Sequence, residues 1–181
     1  MPFSDPDITF DAQLEKIIRF NNYAKYLDIG AGAGKYGLLI RNVFPEAFIE
    51  GIEADSEYIK QFSLQNIYNQ IYNARVEYFF DDKPDYITEM VIIGDCLEHL
   101  KKSDGIDLIN YLVYRCKCIA IIFPSKYVQY SWKGHFLEAH RSVWTKSDFI
   151  HFNYKYKKKK FMNLVIIQGY LADAQANFPK G

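Results

Sequence analysis

Cysteine is scarce in this sequence. Cys96, Cys116 and Cys118 are odd in number and none stands in a Cys-x-x-Cys pair. A disulfide framework or a structural zinc site therefore has no pattern to rest on, and buried, reduced thiols are expected. Net charge is absent as well. Lys plus Arg and Asp plus Glu number 22 each, so no global field draws the chain to nucleic acid or to an anionic membrane. No apolar run approaches the ~18 residues of a membrane span. Met1-Pro2-Phe3-Ser4-Asp5 shows neither the basic nor the apolar region of a secretion leader, so a cytoplasmic protein is expected.

A Walker phosphate loop is missing too. Between Gly30 and Gly34-Lys35 stand three residues where that loop needs four, and Tyr36 follows where it needs Ser or Thr. What is present is Tyr26-Leu27-Asp28-Ile29-Gly30-Ala31-Gly32-Ala33-Gly34-Lys35-Tyr36-Gly37. An apolar run leads into glycines on alternate positions, and helical spacing resumes at Tyr36, Leu39, Ile40 and Val43, so the stretch reads as strand, tight turn, helix. Such a turn lets a ligand approach the backbone, and the unpaired N–H groups of the new helix favour a polar ligand group. Gly32-x-Gly34-x-x-Gly37 also fits the dinucleotide pattern, a weak signal alone. Asp28 argues against it, since a carboxylate there would oppose a pyrophosphate and suit a cationic ligand.

The stretch resembles motif I of the class I S-adenosylmethionine (SAM)-dependent methyltransferases, acidic-x-Gly-x-Gly-x-Gly. The resemblance implies SAM as cofactor, with Asp28, Gly30, Gly32 and Gly34 on its side of the fold. With 181 residues, 49% of them apolar, the chain is long enough for one domain with a sizeable core. The expectation is a single domain over residues 1–181, with a helical arm at 1–23 and a substrate-side loop at 124–147. Aromatic residues, 15 Tyr and 14 Phe among them, are expected mostly in the core and its margin.

Along the chain, residues 7–22 read as an amphipathic helix with Thr9 or Asp11 as cap, packed on the sheet or serving as a lid over the pocket. The second strand is expected at 47–52 and places Glu53 at its exit, some twenty residues beyond the glycines. There an open parallel sheet sets a carboxylate against two ribose hydroxyls. Asp55 and Ser56 are expected to cap a helix over 56–66. By the resemblance, Ala54 falls where a side chain packs on the adenine, a thin contact for alanine. Residues 75–80 read as the third strand, with Asp81 or Asp82 at its exit where the family's motif III accepts a hydrogen bond from the adenine amino group; an ordinary turn before Pro84 is the alternative.

Met90-Val91-Ile92-Ile93 is the continuous apolar run of a central strand. The Leu97-Glu98-His99-Leu100 that follows resembles the sequence after the fourth strand of many small-molecule methyltransferases. Its place borders the transferable methyl group, with Asp95 and Leu97 on the cofactor side. His99 is a candidate base or a histidine pinning the loop; Glu98 and Asp95 either hold the loop or face the methionine part of the cofactor. The Asn/Asp-Pro-Pro-aromatic signature of amino-methylating DNA enzymes is absent.

A helix is expected at 104–117 and the fifth strand at 118–123. The connection 124–147 carries Tyr127, Tyr130, Trp132, His135, Glu138, His140, Arg141 and Trp144. Glu138 to Thr145 resembles the "His, aromatic, Thr, then acidic helix" segment of these enzymes, which makes His140 a second candidate base. A metal held by His135, Glu138 and His140 is not expected, because no helix register aligns them. Residues 153–157 and 161–168 read as two final strands joined through the lysines of 157–160. The sum is an α/β, Rossmann-like, doubly wound sheet of seven strands, mostly parallel with the last antiparallel.

The expected activity is methyl transfer from SAM to a small or medium acceptor. A nicotinamide oxidoreductase, a non-catalytic SAM-binding or interaction module and an RNA methyltransferase using Lys155 to Lys160 are the rivals. Neither a membrane nor, in the main reading, a nucleic acid is expected as partner, and oligomeric state is left open.

Overall fold

The computed structural model describes residues 8–126 and 136–171; Tyr127, Tyr130, Trp132 and His135 lie outside the described residues. In chain order come α1 (Asp11–Asn21), β1 (Lys25–Ile29), α2 (Lys35–Val43), β2 (Phe48–Glu53), α3 (Ser56–Gln61), β3 (Gln70–Asn73) and α4 (Val76–Phe79). Then follow β4 (Met90–Gly94), α5 (Lys102–Val113), β5 (Cys118–Pro124), β6 (Tyr154–Lys159) and β7 (Met162–Gln168). Short 3₁₀ turns occupy Leu97–His99, Phe136–Glu138 and Lys146–Phe149.

The strands form one seven-stranded sheet in the order β3-β2-β1-β4-β5-β7-β6. β1 to β5 pair in parallel, and β7 runs antiparallel to both β5 and β6. The order reverses between β1 and β4, so the crevice beyond their carboxyl ends is where an open α/β sheet holds a ligand.

Side chains alternate across a strand with period two, which sends successive residues to opposite faces. On one face Leu27, Ile29, Val91, Ile93, Ile119 and Ile121 pack with α4, α5 and Trp144. On the other, Tyr26, Ile49, Met90, Ile92 and Ile122 pack with Leu14, Ile17 and Ile18 of α1 and Ile40 of α2. Burying each such side chain contributes roughly 1.5–3 kcal/mol, which is why these apolar runs dictate the sheet.

Four local expectations are corrected. The third strand is not 75–80 but Gln70–Asn73, an edge strand whose half-exposed side chains give no apolar run. Within 75–80, Val76, Phe79 and Phe80 are the buried residues, a helical spacing that makes this segment α4. The lysine run belongs to strand β6, which pairs through Lys159 with Met162; Lys160, at φ 56°, and Phe161 make the turn. These lysines line a sheet edge, where charge discourages pairing with another chain.

Helix α1 begins after Phe10, so the N-cap position falls on Phe10, which makes no side-chain capping hydrogen bond, and Asp11 lies inside the first turn. It packs against the sheet, and none of its residues lines the cavity described below. Asp11 instead pairs with Lys35 at 2.7 Å, tying α1 to the start of α2. The acidic helix that the resemblance implies after Thr145 is the 3₁₀ turn Lys146–Phe149. Thr145 does stand at its start, and the Asp148 carboxylate accepts the Thr145 N–H at 2.7 Å. No helix among the described residues is long and apolar enough to cross a membrane.

Candidate functional site

The glycine turn is built by backbone demands. Gly30, Gly32 and Gly34 all take positive φ, 75°, 51° and 79°, a region that side chains disfavour. The Gly30 and Ala31 N–H groups both donate to the Ile52 carbonyl at 2.9 and 3.0 Å, which fastens the turn to the end of β2. At Gly30 a Cβ would stand 2.6 Å from Cys96 Sγ, so the turn also needs glycine in order to lie against the β4 exit.

Glu53, the last residue of β2, lies at the meeting of these pieces. Its Oε2 accepts the Gly32 N–H at 2.7 Å and its Oε1 the Asp55 N–H at 2.8 Å. Each oxygen keeps a lone pair for a further donor. Burial raises its pKa while the two N–H groups oppose that shift.

Asp28 is placed otherwise than expected. In β1 it shares the face of Tyr26, so its side chain is fully buried and does not line the cavity. Its Oδ2 accepts the Tyr68 hydroxyl at 2.6 Å. It is held in the core by Tyr68, off the cavity lining. Burial pushes its pKa up from 3.8 to about 7, against the pull of the Tyr68 hydrogen bond, with Glu53 adding repulsion and the Gly37 N–H and Lys35 opposing.

Because the folded value exceeds the unfolded one, this group's stabilising contribution is complete below pH 4 and is lost as pH rises through about 7. Asp28→Asn keeps an acceptor for Tyr68 and removes the titration. The variant is expected to gain stability relative to the parent between pH 5 and pH 8, by roughly 2.5 kcal/mol. Urea unfolding at the two pH values checks this; equal differences at both would contradict it.

The β4 exit supplies the opposite wall. Asp95 has φ 50°, and its N–H donates to the Ile122 carbonyl at 3.0 Å. Residues 97–99 then turn back, exposing the Glu98 carbonyl, which accepts the Arg141 and Ser142 N–H groups at 2.8 and 3.1 Å. Trp144 completes the clamp. It is 1% exposed, rests on Gly105 of α5, where a Cβ would meet its ring at 2.6 Å, and donates through Nε1 to the Leu97 carbonyl and Ser142 Oγ. These contacts bring His140 beside His99, their rings perpendicular with centroids 4.9 Å apart.

His99 Nδ1 lies 3.3 Å from the Ala139 carbonyl. Burial lowers the pKa of His99, against Glu138 and the Ala139 and Asp95 carbonyls. Burial and then His99 lower that of His140 to about 4, so both rings are neutral at pH 7. Glu98 is 3% exposed, and burial together with Asp95 holds its carboxyl well above the usual range. Burial likewise pushes the Cys96 thiol well up, which leaves it unfit as a nucleophile.

These walls enclose a cavity of about 380 Å³, within the roughly 300–1,000 Å³ of small-molecule sites. Of the expected residues, Gly30, Gly32, Glu53, Ala54, Asp95, His99 and His140 line it together. Gly34 does not; it starts α2. Leu97 does not either, because its side chain is fully buried in the core.

Asp81 and Asp82 are exposed and lie off the cavity, since the third strand ends well before them. Glu77 is the acid that lines the cavity after β3, paired with Arg75. Sequence reading also missed Tyr58, whose hydroxyl donates to Glu138 at 2.9 Å across the mouth. Among the described residues, six carboxyl groups (Glu53, Asp55, Glu77, Asp95, Glu98 and Glu138) stand against Lys35, Arg75 and Arg141.

No protein-family profile matches the chain, and no curated protein matches it in sequence. In fold it is similar to an O-methyltransferase family protein from Burkholderia thailandensis (TM-score 0.64, 10% identity, 92% of this chain and 58% of that one). It is also similar to the N-terminal domain of EvdMO1 with SAH bound (TM-score 0.65, 13% identity, 91% and 83%). A third likeness is to human N-acetylserotonin methyltransferase in complex with SAM (TM-score 0.63, 14% identity, 89% and 52%). The chain spans little more than half the length of the first and third of these. The shared property is the fold: this chain has the Rossmann-like sheet of the SAM-dependent methyltransferases.

Proposed function

We propose that the protein is a SAM-dependent methyltransferase acting on a small acceptor. The observation that carries this reading is Glu53, a carboxylate locked onto the glycine turn with a lone pair free on each oxygen at the cavity wall. Two acceptors side by side match two vicinal ribose hydroxyls. The fold neighbours crystallised with SAH and SAM support the same cofactor.

SAM, when bound, supplies a methyl group on an electrophilic sulfonium. The chain's own part is to position and desolvate. Ala31, Gly32 and Ala33 line the cavity along the turn with side chains no larger than a methyl group, which leaves the backbone open to the ligand. Ala54 and Val76 offer apolar surface to a base, while Asp95 offers charge to an ammonium group. The excess of carboxyl groups over cations suits a sulfonium and disfavours a pyrophosphate. Asp28 plays no direct part in that choice. His99 and His140 stand at the far wall as neutral imidazoles, the groups placed to act on an acceptor hydroxyl.

Methyl-labelled SAM incubated with the protein and a small-molecule extract should give a labelled product and an equal amount of SAH, read by mass spectrometry. Binding without label transfer to any fraction would overturn the enzymatic reading in favour of a SAM-binding module.

A further inference from the structure

Three side chains converge at one corner of the cavity beyond what a nucleoside needs. Glu98, His99 and His140 each present a ligand-type atom, and these atoms all lie within 4.8 Å of one another. We propose that they bind one divalent cation of the class that accepts nitrogen and oxygen together, such as Zn²⁺, Mn²⁺, Fe²⁺ or Co²⁺.

The first support is Glu98 itself. Its carboxyl borders the cavity, yet it is 3% exposed and its Oε2 makes no hydrogen bond. A buried polar group left in that state costs about 1–3 kcal/mol or more. A cation offsets that cost and holds the group ionised.

The second support is the setting of His99. Its Nδ1 meets the Ala139 carbonyl, which can only accept, so the proton sits there and Nε2 carries the lone pair. Metal-bound imidazoles are oriented by this kind of contact. The third is rigidity. Two backbone hydrogen bonds and Trp144 fix the segment carrying His140 onto the turn carrying Glu98 and His99.

The spacing is near what a metal needs. Ligands about 2.1 Å from a tetrahedral ion stand about 3.4 Å apart, so small side-chain rotations close the set. Two imidazoles with one carboxylate favour a borderline ion over Mg²⁺ or Ca²⁺, which prefer oxygen alone. Three protein ligands leave a coordination position open toward the cavity. On the methyl-transfer reading, and resting on it, that position would take an acceptor hydroxyl and make it more acidic, its proton leaving to solvent water as the oxygen–methyl bond forms and the sulfonium–methyl bond breaks, with the histidines serving as ligands in place of a base.

The test is a Co²⁺ titration of chelator-stripped, untagged protein without SAM, followed by visible absorption. One equivalent should bind, give the d–d bands of a low-coordinate nitrogen and oxygen site, and be displaced by Zn²⁺. Glu98→Gln and His140→Gln should each weaken uptake at least about tenfold with circular dichroism unchanged, while Asp82→Asn, off the cavity, should not. His99→Gln replaces either variant that fails to fold. No uptake at millimolar metal, or uptake unaltered in the variants, overturns the site. Uptake without methyl transfer leaves the site standing and sinks the activity; transfer with no uptake and no effect of chelator does the reverse.

Discussion

Glu53→Ala is expected to weaken SAH binding by two orders of magnitude or more while the protein stays folded. Hydrogen bonds to a charged acceptor contribute about 1.5–3 kcal/mol each, and the two carboxylate oxygens each have one lone pair to give after holding the Gly32 and Asp55 N–H groups. Removing the side chain deletes both ligand contacts and also releases the glycine turn from β2. Glu53→Gln separates these effects, because the amide keeps one acceptor for the turn. It should show an intermediate loss. Calorimetric titration of the three proteins, with unfolding curves for each, checks the prediction; SAH affinity unchanged in Glu53→Ala would remove the ribose role.

Trp144→Ala should destabilise the protein by about 3–5 kcal/mol, the range for deleting a buried tryptophan. For a chain of this length that corresponds to roughly 10 °C in Tm. The ring packs over Gly105 together with the Leu97 side chain, and the Lys102 Nζ lies 3.8 Å from its centroid. Trp144→Phe keeps most of the packing but leaves the Leu97 carbonyl and the Ser142 hydroxyl without the Nε1 donor, at a cost of about 1–3 kcal/mol. Both variants loosen the clamp between His99 and His140. A thermal scan resolves them, and a Trp144→Ala protein as stable as the parent would mean the segment is held by other contacts.

Most of the sheet was legible because central parallel strands must be apolar on both faces. Met90–Ile93 and Cys118–Phe123 announce themselves in that way. β3 did not, since an edge strand of Gln, Ile, Tyr and Asn looks like a connection, and the aromatic segment after it mimicked a strand. The burial of Val76, Phe79 and Phe80 at helical intervals was the available signal. The error carried Asp81 and Asp82 into the expected site and left Glu77 out.

Asp28 shows a different limit. Its position two residues before Gly30 is readable, but whether its side chain meets the ligand depends on strand parity and on Tyr68, forty residues away. Glu53 was readable because a strand end is a topological fixture of this architecture. His99 and His140 were each legible as candidates. Their meeting was not, because it depends on Arg141 and Ser142 reaching the Glu98 carbonyl across the chain.

The central claim is that this acid-rich cavity beside the glycine turn holds SAM. Isothermal titration of the purified protein with SAH, and separately with NAD⁺, tests it most directly. Saturable binding of one SAH per chain with negligible heat from NAD⁺ is the expected result. Saturable NAD⁺ binding with SAH ignored would contradict the account and leave only the fold in place.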